Sequence, residues 1–186
     1  MRKRSLWFIA FVIIIGTFFS SIASAQIDSV NPNYETIFKN NVQRGFLNLS
    51  GKKIGDKGIE ILLKQEFVGD LKKIDLRYNA ISSKGAKLLA KAGSFKKLKT
   101  LILKHNSLFD EGAVALASSN GFAQLEDLQL GWNEIRDAGA LAFAESKNFP
   151  NLKKLDLRGN FFSGKTKDVL RTSLSNLKSL RIFQSE

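Results

Sequence analysis

Leu71-Lys72-Lys73-Ile74-Asp75-Leu76-Arg77-Tyr78-Asn79-Ala80-Ile81 is the stretch on which the fold turns. Ile74 and Leu76 flank a single polar residue. This period of two marks a short strand with both aliphatic side chains on one face. Leu71 stands three residues before the strand, Asn79 three after its last aliphatic, and Ile81 two further on. The same arrangement recurs at Leu47-Asn48-Leu49, Leu101-Ile102-Leu103, Leu128-Gln129-Leu130 and Leu155-Asp156-Leu157, with starts 27 residues apart each time. A shorter step of 25 residues leads to Leu180-Arg181-Ile182. The preceding aliphatic recurs as Leu98, Leu125, Leu152 and Leu177, with Arg44 in its place in the first repeat. The following Asn recurs as Asn106, Asn133 and Asn160. A fixed period of this length marks a solenoid, in which each coil buries its apolar face only against its neighbours.

Between strands the pattern changes period. Asp56, Ser83, Asp110 and Asp137 stand nine residues after each strand start and read as N-caps of helices. Gly58, Gly85, Gly112 and Gly139 follow two residues on. Glycine costs about 1 kcal/mol in a helix interior, so four in register require a packing reason. Close approach of the first helical turn to the sheet is the expectation. Ile61-Leu62, Leu88-Leu89, Ala115-Leu116, Ala142-Phe143 and Val169-Leu170 supply the buried helical face. Phe95, Phe122 and Phe149 close each coil before the next strand. Residues 31–41 are expected to form a capping helix with Pro32 in its first position.

The spacing L-x-x-L-x-L-x-x-N-x-L, quoted above residue by residue, resembles the leucine-rich-repeat family over residues 44–186. The 27-residue, helix-bearing repeat is similar to the ribonuclease-inhibitor-like subfamily. The resemblance implies an α/β solenoid forming a short horseshoe arc, with parallel strands on the concave face and helices on the convex one. It implies partner recognition on the concave face rather than catalysis. The expected organisation is a leader at 1–25, an N-terminal capping segment at 26–45, and a repeat domain at 46–186 with five strand–helix repeats and a terminal strand.

The leader is read from its three parts. Arg2, Lys3 and Arg4 form a basic start, and Leu6 to Phe19 an apolar run of 14 residues interrupted only by Gly16 and Thr17. Ser20 to Gln26 then offers a small-x-small site with cleavage between Ala25 and Gln26. The competing reading is an uncleaved anchor, since no charged residue lies between Ser5 and Ile27. The chain is expected to be exported, to a periplasmic or extracellular destination.

Composition limits the chemistry. There is no cysteine, which removes disulfides, thiolate nucleophiles and Cys-based metal sites. His105 is the single histidine, and its repeat neighbours Tyr78 and Trp132 cannot complete a nucleophile–base pair. Asp127 and Asp156 would face each other at roughly 8 Å across adjacent strands, a separation that suits an inverting glycosidase. Lys154 and Arg158 flank Asp156, and neighbouring cations push a carboxylate away from general-acid duty. No Gly-rich phosphate loop or metal-ligand cluster is present, so neither cofactor nor metal is expected. Asn48-Leu49-Ser50 matches a glycosylation triplet but falls inside a strand.

The formal charge of +12 favours acidic partners. Three surfaces are candidates. The first is a row four residues past each strand start: Gly51, Tyr78, His105, Trp132 and Gly159. Core packing asks for no ring there, and Arg77, Lys104 and Arg158 stand beside it. Aromatic residues with arginine are the types enriched in interface hot spots, so Arg77, Tyr78, Lys104, His105, Trp132 and Arg158 form the expected site for a protein ligand. Gly131 and Gly159 are expected to leave a recess beside Trp132. The second surface is a basic rim, Lys72, Lys73, Lys96, Lys97, Lys99, Lys153, Lys154 and Lys178, suited to anionic envelope polymer or lipid head groups; the leader argues against nucleic acid. The third is the terminal strand with Leu180, Ile182 and Phe183, whose open edge could pair with a second copy.

Overall fold

The computed structural model describes residues 32–183, so the expected leader and the Ala25–Gln26 cleavage site lie outside the described residues. Helix α1 (Tyr34–Asn41) and strand β1 (Val42–Gln43) come first. Five coils follow. Each has a strand and a helix: β2 (Phe46–Asn48) with α2 (Gly55–Leu62), β3 (Lys73–Asp75) with α3 (Ser83–Lys91), and β4 (Thr100–Ile102) with α4 (Phe109–Ala117). Then come β5 (Asp127–Gln129) with α5 (Asp137–Glu145), β6 (Lys154–Asp156) with α6 (Gly164–Ser173), and finally β7 (Ser179–Arg181). The seven strands among the described residues form one sheet in chain order. β2 to β7 are parallel, and the register places Leu47, Ile74, Leu101, Leu128, Leu155 and Leu180 side by side. This is the α/β repeat solenoid expected from the spacing.

The aliphatic ladder is the core. Leu47, Leu49, Ile74, Leu76, Leu101, Leu103, Leu128, Leu130, Leu155 and Leu157 are all buried, each such side chain contributing roughly 1.5–3 kcal/mol. Phe95 stacks on Phe122 at 5.5 Å and Phe122 on Phe149 at 6.5 Å, closing the coils at the return turn. On the helices, the second member of each apolar pair is buried: Leu62, Leu89, Leu116, Phe143 and Leu170. Val169 faces out instead. A stripe three residues earlier completes the buried face, at Ile59, Ala86, Ala113 and Ala140, as helical periodicity requires.

The asparagines satisfy the backbone where the chain leaves the sheet. Asn106 Oδ1 accepts from the amides of Asn79 and Ile81 in the preceding coil, both at 3.0 Å. Its Nδ2 donates to the carbonyls of Leu76 and Leu103 at 3.0 and 2.9 Å. Asn160 does the same for Asn133 and Ile135 on one side and for Leu130 and Leu157 on the other. Buried backbone groups that a helix or sheet cannot reach are thus paired across the coil boundary.

The caps work differently from expectation. Asp56 lies inside α2 and caps the next helix, accepting from Ser82 N at 2.9 Å and Gly85 N at 3.0 Å. Asp110 likewise accepts from Arg136 N and Gly139 N at the start of α5, and Asp137 from Ser163 N before α6. Ser83 holds the corresponding place in α3 without a carboxylate; the N-cap of α3 itself is Ser82, whose hydroxyl accepts from Lys84 N. Two of the four glycines, Gly85 and Gly139, are explained by the same contact. A Cβ on Gly85 would collide with the Asp56 carboxylate, and one on Gly139 would stand 2.6 Å from Asp110 Oδ1 and 2.9 Å from Ala113 Cβ. The close approach is between helix and helix, not between helix and sheet.

At the N-terminal end the helix begins at Tyr34, so Pro32 precedes it. β1 runs antiparallel to β2, with Gln43 opposite Phe46. Arg44 and Gly45 turn between them with φ of 50° and 79°, the left-handed pair that a two-residue hairpin demands. Arg44 departs from the repeat because it is a turn residue. A two-residue strand leaves no periodic signal, which is why the spacing does not reveal it.

Candidate binding face

The row four residues past each strand start is fixed by the backbone. Gly51 N donates to Arg77 O at 2.8 Å, Tyr78 N to Lys104 O at 3.2 Å, His105 N to Gly131 O at 3.0 Å and Trp132 N to Arg158 O at 2.9 Å. Each residue of this row is left-handed: Gly51 at φ 70°, Tyr78 at 56°, His105 at 54°, Trp132 at 57° and Gly159 at 70°. The turn out of the strand thus asks for glycine. Bulky side chains there oppose a backbone preference of roughly 1–2 kcal/mol each.

Three rings nevertheless occupy it, and they stack. Tyr78 and His105 have centroids 4.2 Å apart with planes at 13°. His105 and Trp132 are 4.7 Å apart at 10°. Such pairs contribute about 0.5–1.5 kcal/mol beyond their burial, comparable to the backbone cost they meet. Burial lowers the His105 pKa, and the charges of Lys104 and Arg77 lower it further. The imidazole is therefore neutral near pH 7, between two neutral rings. Tyr78, at the open end, is 53% exposed.

The three cations of the expected site are placed by two buried carboxylates. Arg77 grips Asp75 of its own strand, with Nη2 to Oδ2 at 2.7 Å and Nε to Oδ1 at 3.0 Å. Arg158 holds Asp156 in the same way, at 2.7 and 3.0 Å. Lys104 Nζ reaches the same carboxylate from two coils away, at 2.8 Å. The guanidinium of Arg158 and the ammonium of Lys104 also lie 5.8 and 6.0 Å from the Trp132 ring centre, within cation–π range. All six expected residues therefore belong to one connected strip of stacked rings and ion pairs.

Two expectations change. No recess forms beside Trp132. The Arg158 carbonyl oxygen lies 2.9 Å from where a Gly131 Cβ would be, and the Trp132 ring itself fills the place of a Gly159 side chain, within 2.6 Å of where its Cβ would be. Further, the cation beside Asp156 is Lys104 rather than Lys154, which is exposed. The effect on Asp156 is the expected one. Burial pushes its pKa up, but hydrogen bonds from Arg158 and Lys104 outweigh that and hold it at about 2. Asp127 hydrogen-bonds Gln129 at 3.2 Å. A carboxyl held at about 2 is ionised near neutral pH and is a poor donor of the proton that glycoside cleavage needs. The Lys104–Asp156 pair, two coils apart, escaped the sequence reading; the glycine at 131, in a row otherwise basic on both sides, was the available signal.

On the rim, Lys97 pairs with Asp70 at 2.6 Å, and Lys99 and Lys153 clamp Glu126 at 3.0 and 2.6 Å. Lys73 lies over the Phe46 ring at 4.7 Å. Lys72, Lys96, Lys154 and Lys178 are exposed. At the far end, Ile182 is buried and Phe183 sits under Lys167 and Arg171. Among the described residues, no group of His, Asp and Glu could hold a metal ion, and no helix is long and apolar enough to cross a membrane.

Six parallel three-residue strands, an asparagine ladder and one helix per coil define, among the described residues, a repeat solenoid whose strand side carries an aromatic strip. Residues 70–90, 96–117 and 124–144 match the profile described as Leucine Rich repeat, and 151–177 match a second profile of the same description. These stretches are leucine-rich repeats, and the fold is that of a leucine-rich-repeat solenoid. None of the curated proteins matches it. Leucine-rich-repeat domains are generally protein-binding modules, and the family is typically a non-enzymatic scaffold.

Proposed function

We propose that this protein is an exported binding module that recognises a protein partner through the strand side of its repeats, using Arg77, Tyr78, Lys104, His105, Trp132 and Arg158. The observation that carries the reading is the ring stack in left-handed backbone. Glycine serves that position in the first and fifth coils, so Tyr78, His105 and Trp132 are not demanded by the turn. Their cations are already paired, so the strip offers rigid aromatic surface rather than free charge, the character of a hot spot. Export rests on the leader and its Ala25–Gln26 site. The ribonuclease-inhibitor-like character rests on the 27-residue helical repeat.

The test is affinity capture from envelope and culture fractions at low and high salt. The baits are the chain and its Tyr78→Ala, His105→Ala, Trp132→Ala triple variant. A protein partner retained at high salt and lost with the triple variant supports the reading. Capture of anionic polymer alone, released by salt and indifferent to the variant, would instead favour the rim, because screening weakens exposed charge contacts. The internal pairing of Lys97, Lys99 and Lys153 weighs against the rim.

A further inference from the structure

The aromatic row has glycine at both ends, and the two ends are not alike. At the C-terminal end the place of a Gly159 side chain is already filled by the Trp132 indole. At the N-terminal end, nothing lies within 4 Å of where a Gly51 Cβ would be. Gly51 is nonetheless in register with the row: its amide bonds Arg77 O at 2.8 Å, and its φ of 70° matches the others. One face of the Tyr78 ring is covered by His105, and the residue remains 53% exposed. Adjacent strands are about 4.8 Å apart, close to the 4.2 and 4.7 Å between the stacked rings. A ring placed above Gly51 would thus meet Tyr78 at the spacing the row already has.

We infer that the Tyr78–Gly51 step is an aromatic acceptor slot, in which a planar aromatic side chain of the protein partner stacks on Tyr78 as a fourth ring. The partner's being a protein rests on the function proposed above; the slot itself does not. Geometry favours a flat group, since the row is already built of parallel rings at this spacing. Charge favours an uncharged one. Arg77 lies beside Tyr78, Lys104 and Arg158 lie at the other end of the stack, and His105 is held neutral. The strip's carboxylates, Asp75 and Asp156, are already paired, so a guanidinium or ammonium would gain no ion pair there, and a Trp, Tyr or Phe ring needs none. The pre-stacked rings are fixed before the guest arrives, which reduces the entropy lost on binding.

The first experiment is a titration of the full chain with N-acetyltryptophanamide, N-acetylleucinamide and adenosine monophosphate, observed by NMR at the Gly51 amide and the Tyr78 ring. The expected result is saturable upfield movement of both with the indole compound in the millimolar range, and none with the leucine compound. Unmoved resonances with the indole, or movement with the nucleotide alone, overturn the inference. Gly51→His fills the slot with a residue that the row already tolerates at His105, and Gly51→Asn keeps left-handed backbone without a ring. The first should abolish the indole response and the second should keep it; Tyr78→Phe should also keep it. Loss in Gly51→Asn together with Tyr78→Phe would mean that the response is not stacking. In the capture experiment, Gly51→His should reduce partner retention at least tenfold. A partner lost with the triple alanine variant yet retained by Gly51→His leaves the proposed function standing and removes the slot. Absence of any partner removes the proposed function, while the titration still decides the slot.

Discussion

The turns that lead into α4 and α5 occupy the same place in successive coils, yet only the second is held from both sides. Before α5, Asn160 Oδ1 accepts from Asn133 N and Ile135 N, and Asp110 Oδ1 accepts from Arg136 N and Gly139 N. Before α4 both supports are missing. Ser83 stands where the neighbouring coils carry Asp, so α3 sends no carboxylate to the helix start, and Asn133 Oδ1 is buried without a partner. The left-handed residue also moves. It is Ala80 in the second coil and Glu134 in the fourth, but Phe109 in the third, whose amide bonds the Asn133 main-chain carbonyl at 3.0 Å. Phe109 is left 40% exposed. Identical spacing therefore yields unequal joints, because each coil borrows its caps from its neighbours.

The largest expected effect tests the asparagines. Asn106→Ala removes two accepted and at least two donated bonds to buried backbone, and should lower stability by about 3 kcal/mol. Asn133→Ala forfeits only donated bonds, to Leu103, Leu130 and Gly131, and should cost about 1 kcal/mol less. Urea denaturation of the two variants decides it; equal losses would show that the two rungs are equivalent. Next come the glycines. Gly139→Ala drives a methyl to 2.6 Å from Asp110 Oδ1 and 2.8 Å from Ile135 Cγ2, an overlap that should cost about 2 kcal/mol despite better helix propensity. At Gly112 the nearest atoms are 3.0 and 3.1 Å away. There the gain of roughly 1 kcal/mol in propensity should offset the crowding. A Gly112→Ala loss as large as that of Gly139→Ala would break the distinction.

The carboxylates come third. Asp110→Ala strips the cap from α5 and should cost about 1 kcal/mol. Ser83→Asp supplies the missing carboxylate to α4 and should raise the melting temperature slightly, by about 0.5 kcal/mol of stability. If Ser83→Asp destabilises, the displaced turn at Phe109 does not accept a cap and the asymmetry is built in elsewhere.

How much of this was legible follows from the range of each interaction. Strand positions such as Ile74 and Leu76 announce themselves, because burial on one face imposes a local period. The Asn ladder is legible for the same reason: Asn106 must bond its own coil. The destination of Asp56 and Asp110 is not, since a carboxylate two residues before a glycine looks the same whether it caps its own helix or the next. Of the candidate strip, the row of Tyr78, His105 and Trp132 is visible once repeats are aligned. The Lys104–Asp156 contact spans two coils, and the emptiness above Gly51 is a property of what surrounds a residue rather than of the residue, so neither has a spacing to read.

The smallest effect concerns acid. The Ser163 amide, and after it the Thr166 side chain, hold the Asp137 carboxyl below its ordinary value near 3.8. A carboxylate that binds protons less readily when folded supports the fold above that ordinary value, and its support fades as the pH falls through the lower folded value. The group is exposed, so its contribution to global stability is slight, and the signal should be local. The Ser163 amide resonance should titrate with a midpoint below 3.8, and Asp137→Asn should remove that step. The start of α4, which takes no carboxylate from α3, should acquire a comparable step only in the Ser83→Asp variant. A Ser163 midpoint at or above the ordinary carboxylate value would mean that the bond from Asp137 is not maintained in solution, and the contrast between the two joints would then rest on the asparagines alone.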